Sequence, residues 1–415
     1  MDKNNLTGNR KGFSQRIKNI CALRAFACFS AFCLLPSAFA SSPLRPLLSP
    51  LSLLSFHPFY PHPAPLETVR RVRPQDRKRL RAFAPSCLRA FAPCLFFLLT
   101  SCGERERYHN LDLQNIAPVK VGVHRYEQAL FSIDRQNFAQ GLDAIAPEFE
   151  LILTDRYAEP QNVAQLLNFV NDPVLQEAYA ATQKKYRDIE WITKGIADGY
   201  RRYRYFYPNT ETVKLYTYVS GYNYEEPVHF FDDNTLLVGL DNYLGATFDA
   251  YKKVQIPQYI SDRMDSVFLL PDIFHALIAQ NFEGNEKPEL LIDYIISAGK
   301  TYYFLDILLP SVKKEDKIGY SKAQWDFCKN NEDQIWRYFI ENKLLFSSNH
   351  RNIRSFIFEA PFTNDFPRES PGRIGQWIGW QIVTAYMKNN PDVTLQELMN
   401  DCDYKGILQK SGYKP

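Results

Sequence analysis

From residue 121 to the C-terminus, apolar side chains recur every third or fourth position, and this helical period gives way in only one place. There "TVKLYTYVSGY" sets Val213, Leu215, Tyr216 and Tyr218 among polar residues, and "NTLLVGLDNYLG" follows as a β-branched, apolar run. The intervening "HFFDD", with Asp232, Asp233 and Asn234, reads as a turn. Ahead of this pair the spacing predicts helices over "VHRYEQALFSIDRQNFAQGLDAI", "QNVAQLLNFVNDPVLQEAYAATQKKY" and "DIEWITKGIADGYRRYRYFYP", the second interrupted at Asn171-Asp172-Pro173. Beyond it, helices are expected over 271–282, 286–309, 321–344, 372–389 and 394–401, with Pro or Gly at most joins. Helices, a small sheet, then helices in one run predict a single α+β domain over 121–415, predominantly helical.

Charge divides the chain. Residues 1–102 hold 15 Lys/Arg and 3 Asp/Glu, whereas 103–415 hold 34 and 43, so a leader of +12 precedes a body of −9. An acidic body repels nucleic acid and anionic lipid rather than recruiting them, and export, which the end of the leader predicts, excludes nucleic acid as a partner. Six of the eight cysteines also fall in the leader. Cys328 and Cys402, 74 positions apart, form neither a disulfide scaffold nor a CxxC knuckle. Two buried thiols are the favoured reading, with pairing in an oxidising compartment as the alternative.

The leader ends in "RKRLRAFAPSCLRAFAPCLFFLLTSC": a basic region, an apolar run, then Leu99-Thr100-Ser101-Cys102. That is the order of an export signal, predicted over 77–101. Its last four residues resemble the bacterial lipobox, whose cysteine is lipid-modified and becomes the mature N-terminus. Cys102 is therefore the expected lipidation site, and several acyl chains on it would anchor the protein durably in a bilayer. Residues 1–76, with "LRAFA" at 23–27 and again at 80–84 and 88–92 downstream, carry a Pro/Leu/Ser tract without helical or strand period. They read as a disordered leader or as translated sequence ahead of the true start. Residues 102–120 read as a polar tether.

The candidate chemistry centres on "PDIFHALIAQNF". His275 and position 279 are one helical turn apart, the spacing at which HxxxH chelates zinc. Position 279 is alanine, and so is 276, where a metalloprotease would carry its general base. Asp272 and Asp293 match no ligand spacing. A core-edge helix with a hydrogen-bonded histidine is the expectation, with no catalytic, cofactor or metal residue assigned. A Ser-His-Asp triad stays open because triads form in space, although no G-x-S-x-G, P-loop or G-x-G-x-x-G is present. "YRRYRYFYP" reads as a helix end with tyrosines inward and arginines outward. In "ESPGRIGQWIGWQIVTAYMKNNP", Pro371 marks a helix start, Trp377 and Trp380 fill the core, and Gly375 and Gly379 leave a face open to another backbone.

Together "TYYFLDILLP", "FIFEAPFTNDF", "ESPGRIGQWIGWQIVTAYMKNNP" and the terminal "GYKP", behind a lipobox, resemble the gliding-motility lipoprotein B (GldB) family of Bacteroidetes from about Cys102 to Pro415. That family looks distantly related to zincin-like proteins. The resemblance implies a zincin-like fold in which "FHALIAQ" covers HExxH and Ala298 stands at the glutamate ligand's place. Only His275 survives of that ligand set, which implies a fold without its metal. The resemblance further implies a non-catalytic lipoprotein of the cell envelope acting through motility or secretion proteins. Gly103 after the lipidated cysteine favours the outer membrane, facing the periplasm. The alternatives are a hydrolase with an atypical site and a glycan- or peptide-binding lipoprotein.

Overall fold

The computed structural model describes Tyr108, residues 111–282 and residues 287–415. The signal over 77–101, the leader before it and Cys102 lie outside the described residues. Glu106–Pro415 forms one compact unit. It is mostly helical, with one small, open, four-stranded sheet.

The sheet consists of β1 (Val121–Arg125), β2 (Val213–Tyr218), β3 (Val228–Asp232) and β4 (Thr235–Gly239), in the order β1-β2-β4-β3. β1 and β2 run parallel, as do β2 and β4, whereas β3 returns antiparallel to β4. Two of these strands correct the sequence reading. Val121–Arg125, whose latter part falls in the helix expected over 123–145, is an edge strand because it pairs with β2, about ninety residues away, a tertiary choice that local periodicity does not record. "HFFDD" is mostly strand rather than turn. Only Asp233 and Asn234 reverse the chain, with the Asn234 N–H donating to Asp232 Oδ1 at 2.9 Å. With one buried residue, Phe230, this short strand carries almost no alternation of its own.

The sheet separates two apolar cores. Val213, Leu215, Leu236 and Val238 face the larger one. Tyr216 and Leu237 face a smaller one built with α1 (Tyr126–Phe131), α2 (Phe138–Ile145), α3 (Pro160–Asn171) and α4 (Pro173–Lys185). The break between α3 and α4 falls at Asn171-Asp172-Pro173, as expected. Asp172 caps α4 by accepting from Val174 and Leu175 N–H groups, and Pro173 occupies the first helical position. The predicted helix over 123–145 is instead β1, α1 and α2, the two helices separated by a single 3₁₀ turn.

α5 (Glu190–Phe206) buries Tyr200 and Tyr203 as expected, while Tyr205 is exposed. Its arginines do more than face water. Arg201 donates to the carbonyls of Leu113 and Ile116, Arg204 to those of Ala117 and Thr210, and Arg202 to that of Ile307. Residues 113–117 of the expected tether are thereby held on α5. Two short helices follow the sheet, α6 (Asp249–Lys253) and α7 (Gln258–Ser261). After them come α8 (Leu269–Phe282), α9 (Leu291–Leu308), α10 (Lys314–Ile318), α11 (Lys322–Asn330), α12 (Glu332–Glu341), α13 (His350–Ile357), α14 (Ile374–Asn389), α15 (Leu395–Asn400) and α16 (Tyr404–Ser411). The helix predicted over 321–344 divides at Asn331, whose side chain donates to the Phe327 carbonyl. Cys328 is buried and Cys402 exposed, both as free thiols, so only the first fits the buried-thiol reading.

The larger core is organised by α9 and α14, which cross in backbone contact. Gly299 and Gly379 meet there: a Cβ on Gly379 would lie 1.8 Å from the Ile295 carbonyl oxygen, and one on Gly299 2.2 Å from that of Gly379. The side-chain-free face expected at Gly379 therefore does admit another backbone. Trp377 and Trp380 are almost completely buried beside it. α14 starts later than its Pro371 suggested. Arg373, the residue preceding Ile374, adopts a left-handed conformation (φ 59°) and holds the chain out of the helix until then.

Candidate functional site

α8 presents His275 where four other segments meet. Phe274, Leu277 and Ile278 of the expected stripe are buried, joined by Leu269 and Ile273, whereas Leu270 is only partly covered. His275 lies at the margin of this face, partly exposed, with its ring tilted against that of Tyr302 of α9 at 6.0 Å between centroids. Among the described residues none hydrogen-bonds the imidazole, so the expected hydrogen-bonded core histidine is corrected: the ring is packed but its nitrogens are unclaimed.

The charged walls come from Arg263, just after α7, from Glu359, just after α13, and from Arg373, just before α14. Arg263 pairs with Glu359 and lies 3.5 Å from Asp272 Oδ1, one turn before His275. Arg373 Nε lies 3.1 Å from Glu359 Oε2, and its Nη2 donates to the Ile318 carbonyl at 2.8 Å. Tyr243 OH donates to Asp272 Oδ2 at 2.8 Å. Glu359 thus sits between two guanidiniums, and Asp272 between a guanidinium and a phenol.

Local backbone chemistry sets this arrangement. Segments 359–366 and 369–373 lock together: Thr363 Oγ1 donates to the Pro371 carbonyl at 2.8 Å, and Ser370 Oγ to that of Thr363 at 3.4 Å. Gly372 permits the contact, since a Cβ there would stand 2.3 Å from the Ala360 carbonyl oxygen. Tyr320 OH donates to the Gly372 carbonyl at 2.8 Å. The left-handed conformation of Arg373 costs on the order of 1 kcal/mol, and these bonds on both sides of it hold the side chain against Glu359.

On the far side, Tyr302 OH donates to Gln376 Oε1 at 2.8 Å, and Gln376 Nε2 to the Ile357 carbonyl at 2.7 Å. The Tyr302 ring stacks on Trp380 at 5.3 Å, and Trp380 Nε1 donates to Asp306 Oδ2 at 3.2 Å. Asp306 also pairs with Lys317 at 2.6 Å. The ring against which His275 rests is therefore fixed from behind by the α9–α14 core.

Electrostatics follow from this packing. Burial, then the fields of Arg263 and Arg373, push the His275 pKa down to about 4, so the imidazole is neutral at physiological pH. Burial raises Asp272 above the usual carboxylate range despite Arg263 and the Tyr243 hydrogen bond. Burial also works against the Glu359 carboxylate, but Arg373 and Arg263 outweigh it and hold that group below its ordinary value. A histidine with a depressed folded-state value adds stability that is fully present above its unfolded value near 6.5 and is lost as pH falls towards about 4. The loss amounts to at most about 3 kcal/mol. Urea unfolding at pH 4.5 and 7.5 should therefore show a smaller drop in His275→Gln than in the parent chain. Equal drops would contradict an imidazole held neutral by its surroundings.

The donor set does not suit zinc. Zinc needs at least three protein ligands even in an open catalytic site, and positions 276 and 279 on the same helix are alanines. Asp272 is engaged by Tyr243 and Arg263. Asp293 caps α9 by accepting from the Glu289 and Leu290 N–H groups. Among the described residues no three His, Cys, Asp or Glu side chains gather as a ligand set. The imidazole feels the positive charges of Arg263 and Arg373, which repel a dication. No described serine hydroxyl bonds a described histidine either. His124 and His229 pair with Glu148 and Glu226 at partly exposed positions.

Of His275, Asp272, Asp293 and Ala298, the positions to which the sequence points, the structure keeps only the first two at the site. Arg263, Tyr302, Glu359 and Arg373 join them from outside that set. A signal for two of these was present: Glu359 and Arg373 are the charged residues inside the otherwise apolar, Gly- and Pro-containing runs "FIFEAPF" and "SPGRIG".

These features define a mostly helical domain with a small open sheet, and a histidine recess walled by guanidiniums rather than metal ligands. The family model described as gliding motility protein GldB matches residues 106–415, and the chain belongs to that family. No curated protein and no solved structure matches it. Among the described residues no helix is long and apolar enough to cross a membrane.

Proposed function

We propose that this GldB-family domain is held at the cell envelope by lipid on Cys102 and works there by binding a protein partner, not by metal-dependent hydrolysis. The observation that carries this reading is the surroundings of His275: alanines at 276 and 279, and Arg263 and Arg373 as the neighbouring charges. On this reading α8 descends from the HExxH helix of a zincin-like ancestor, and its packing has been kept while its ligands were replaced. The acidic body gains nothing from an anionic lipid surface, so a covalent anchor is what would keep it at the membrane. The partner class suggested by family membership is envelope machinery for motility or secretion, with the anchor in the outer membrane facing the periplasm.

Replacing Cys102 with alanine should move the protein from the membrane pellet to the soluble fraction and abolish metabolic labelling with palmitate. A variant that fractionates with membranes as before, or a parent chain that takes up no label, would contradict the anchor.

A further inference from the structure

We propose that the recess beside His275 binds a carboxylate of a polypeptide partner, with the imidazole N–H and the guanidiniums of Arg263 and Arg373 as its donors. The inference rests on the partner-binding reading above and gives it a site and a ligand chemistry.

Three observations point to it. First, the polar groups there are held in place but incompletely used. The His275 ring is fixed by Tyr302 and bonded to none of the described residues. Of the two terminal nitrogens of Arg373, Nη2 is the one committed to a carbonyl, while Arg263 spends Nη1 on Glu359 and its Nη2 meets Asp272 only at 3.5 Å. Arg373 is 7% exposed, so its guanidinium is already stripped of water and positioned, which lowers the cost of ordering it on binding.

Second, the charge balance selects the ligand. Glu359 holds its charge between the two guanidiniums, while burial works against the charge on Asp272, which leaves room for one further negative charge rather than the two of a phosphate dianion. The imidazole nevertheless feels the cations more than the carboxylates. A single planar negative charge suits such a site, because the guanidinium fork matches a carboxylate in shape and a neutral imidazole supplies one further donor. The net charge of −9 elsewhere disfavours polyacidic ligands and leaves an isolated carboxylate as the better fit.

Third, the segments that carry these groups also carry exposed apolar side chains. Phe358, next to Glu359 in the chain, is 55% exposed, and Val267, in the turn that leads into α8, is 50% exposed. Exposed apolar side chains on the segments that supply a carboxylate-binding group suit a peptide with an apolar residue next to its carboxylate.

The test uses the full-length lipoprotein in detergent and calorimetric titration with four probes. These are an N-acetylated Ala-Ala-Phe tripeptide with a free terminal carboxylate, the same peptide as its amide, an amidated peptide with one internal aspartate, and inorganic phosphate. Saturable binding of the free acid, weakened about tenfold or more in the amide, is expected for loss of a charge-assisted hydrogen bond. His275→Ala should weaken the acid to a similar degree, and His275→Gln, which restores a donor, should recover part of it. Tighter binding of the aspartate peptide would support the site and assign the carboxylate to a side chain rather than a terminus. Acid and amide binding alike, phosphate binding tighter than the acid, or no carboxylate binding at all would overturn the inference. In each of those cases the membrane fractionation of Cys102→Ala and the zinc content would still stand as separate tests of the preceding reading.

Discussion

Replacing Gly379 by valine should destabilise the domain by more than about 3 kcal/mol, beyond the usual range for an overpacked core. The first atom added would stand 1.8 Å from the Ile295 carbonyl oxygen and 3.2 Å from the Gly299 nitrogen. Both belong to the backbone of α9, so no rotamer change makes room and the two helices must separate. Separation would strip contacts from Trp377, Ile378 and Val383 on one side and Ile295 and Ile296 on the other, all buried at 1% exposure or less. Alanine is the milder probe. It improves helix propensity by about 1 kcal/mol, yet its Cβ meets the same carbonyl, and steric conflict should decide the sign. Urea unfolding followed by circular dichroism measures both variants. An alanine variant with the parent's midpoint would show that the two backbones are not in contact.

Trp380→Ala is expected to cost about 3–5 kcal/mol, the range for truncating a buried aromatic residue. The side chain is 1% exposed, stacks on Tyr302, meets Trp325 edge-on at 5.7 Å and donates to Asp306. Its removal also frees the Tyr302 ring on which His275 rests, so the damage should reach the recess as well as the core. Trp380→Phe separates the two roles. It keeps most of the apolar area and loses the N–H, for a cost of about 1 kcal/mol, because Lys314 still lies 3.4 Å from the same Asp306 oxygen. Denaturant midpoints rank the three chains, and a Trp380→Ala midpoint equal to that of Trp380→Phe would remove the stacked ring from the account.

The elements legible in the sequence were those whose signal is local. The α3–α4 break was written in Asp172-Pro173, and the open face of α14 in a glycine. What escaped was set by distant partners. β1 is a strand only because β2 lies alongside it, and Arg373 stands out of α14 because Tyr320, Thr363 and Ala360 hold Gly372 and Pro371 in another path. The site divides in the same way. His275 could be found by its spacing from the missing ligands. Arg263, Glu359 and Arg373 reach it from segments up to 110 residues apart in the chain, and the spacing of none of them predicts the others.

Zinc content tests the central claim most directly. The full-length protein, purified without chelator, incubated with excess zinc and dialysed, should retain far less than one ion per chain, with His275→Ala indistinguishable from the parent. One tightly held zinc per chain, lost in His275→Ala, would show that the recess still grips a metal and that a hydrolytic site has survived.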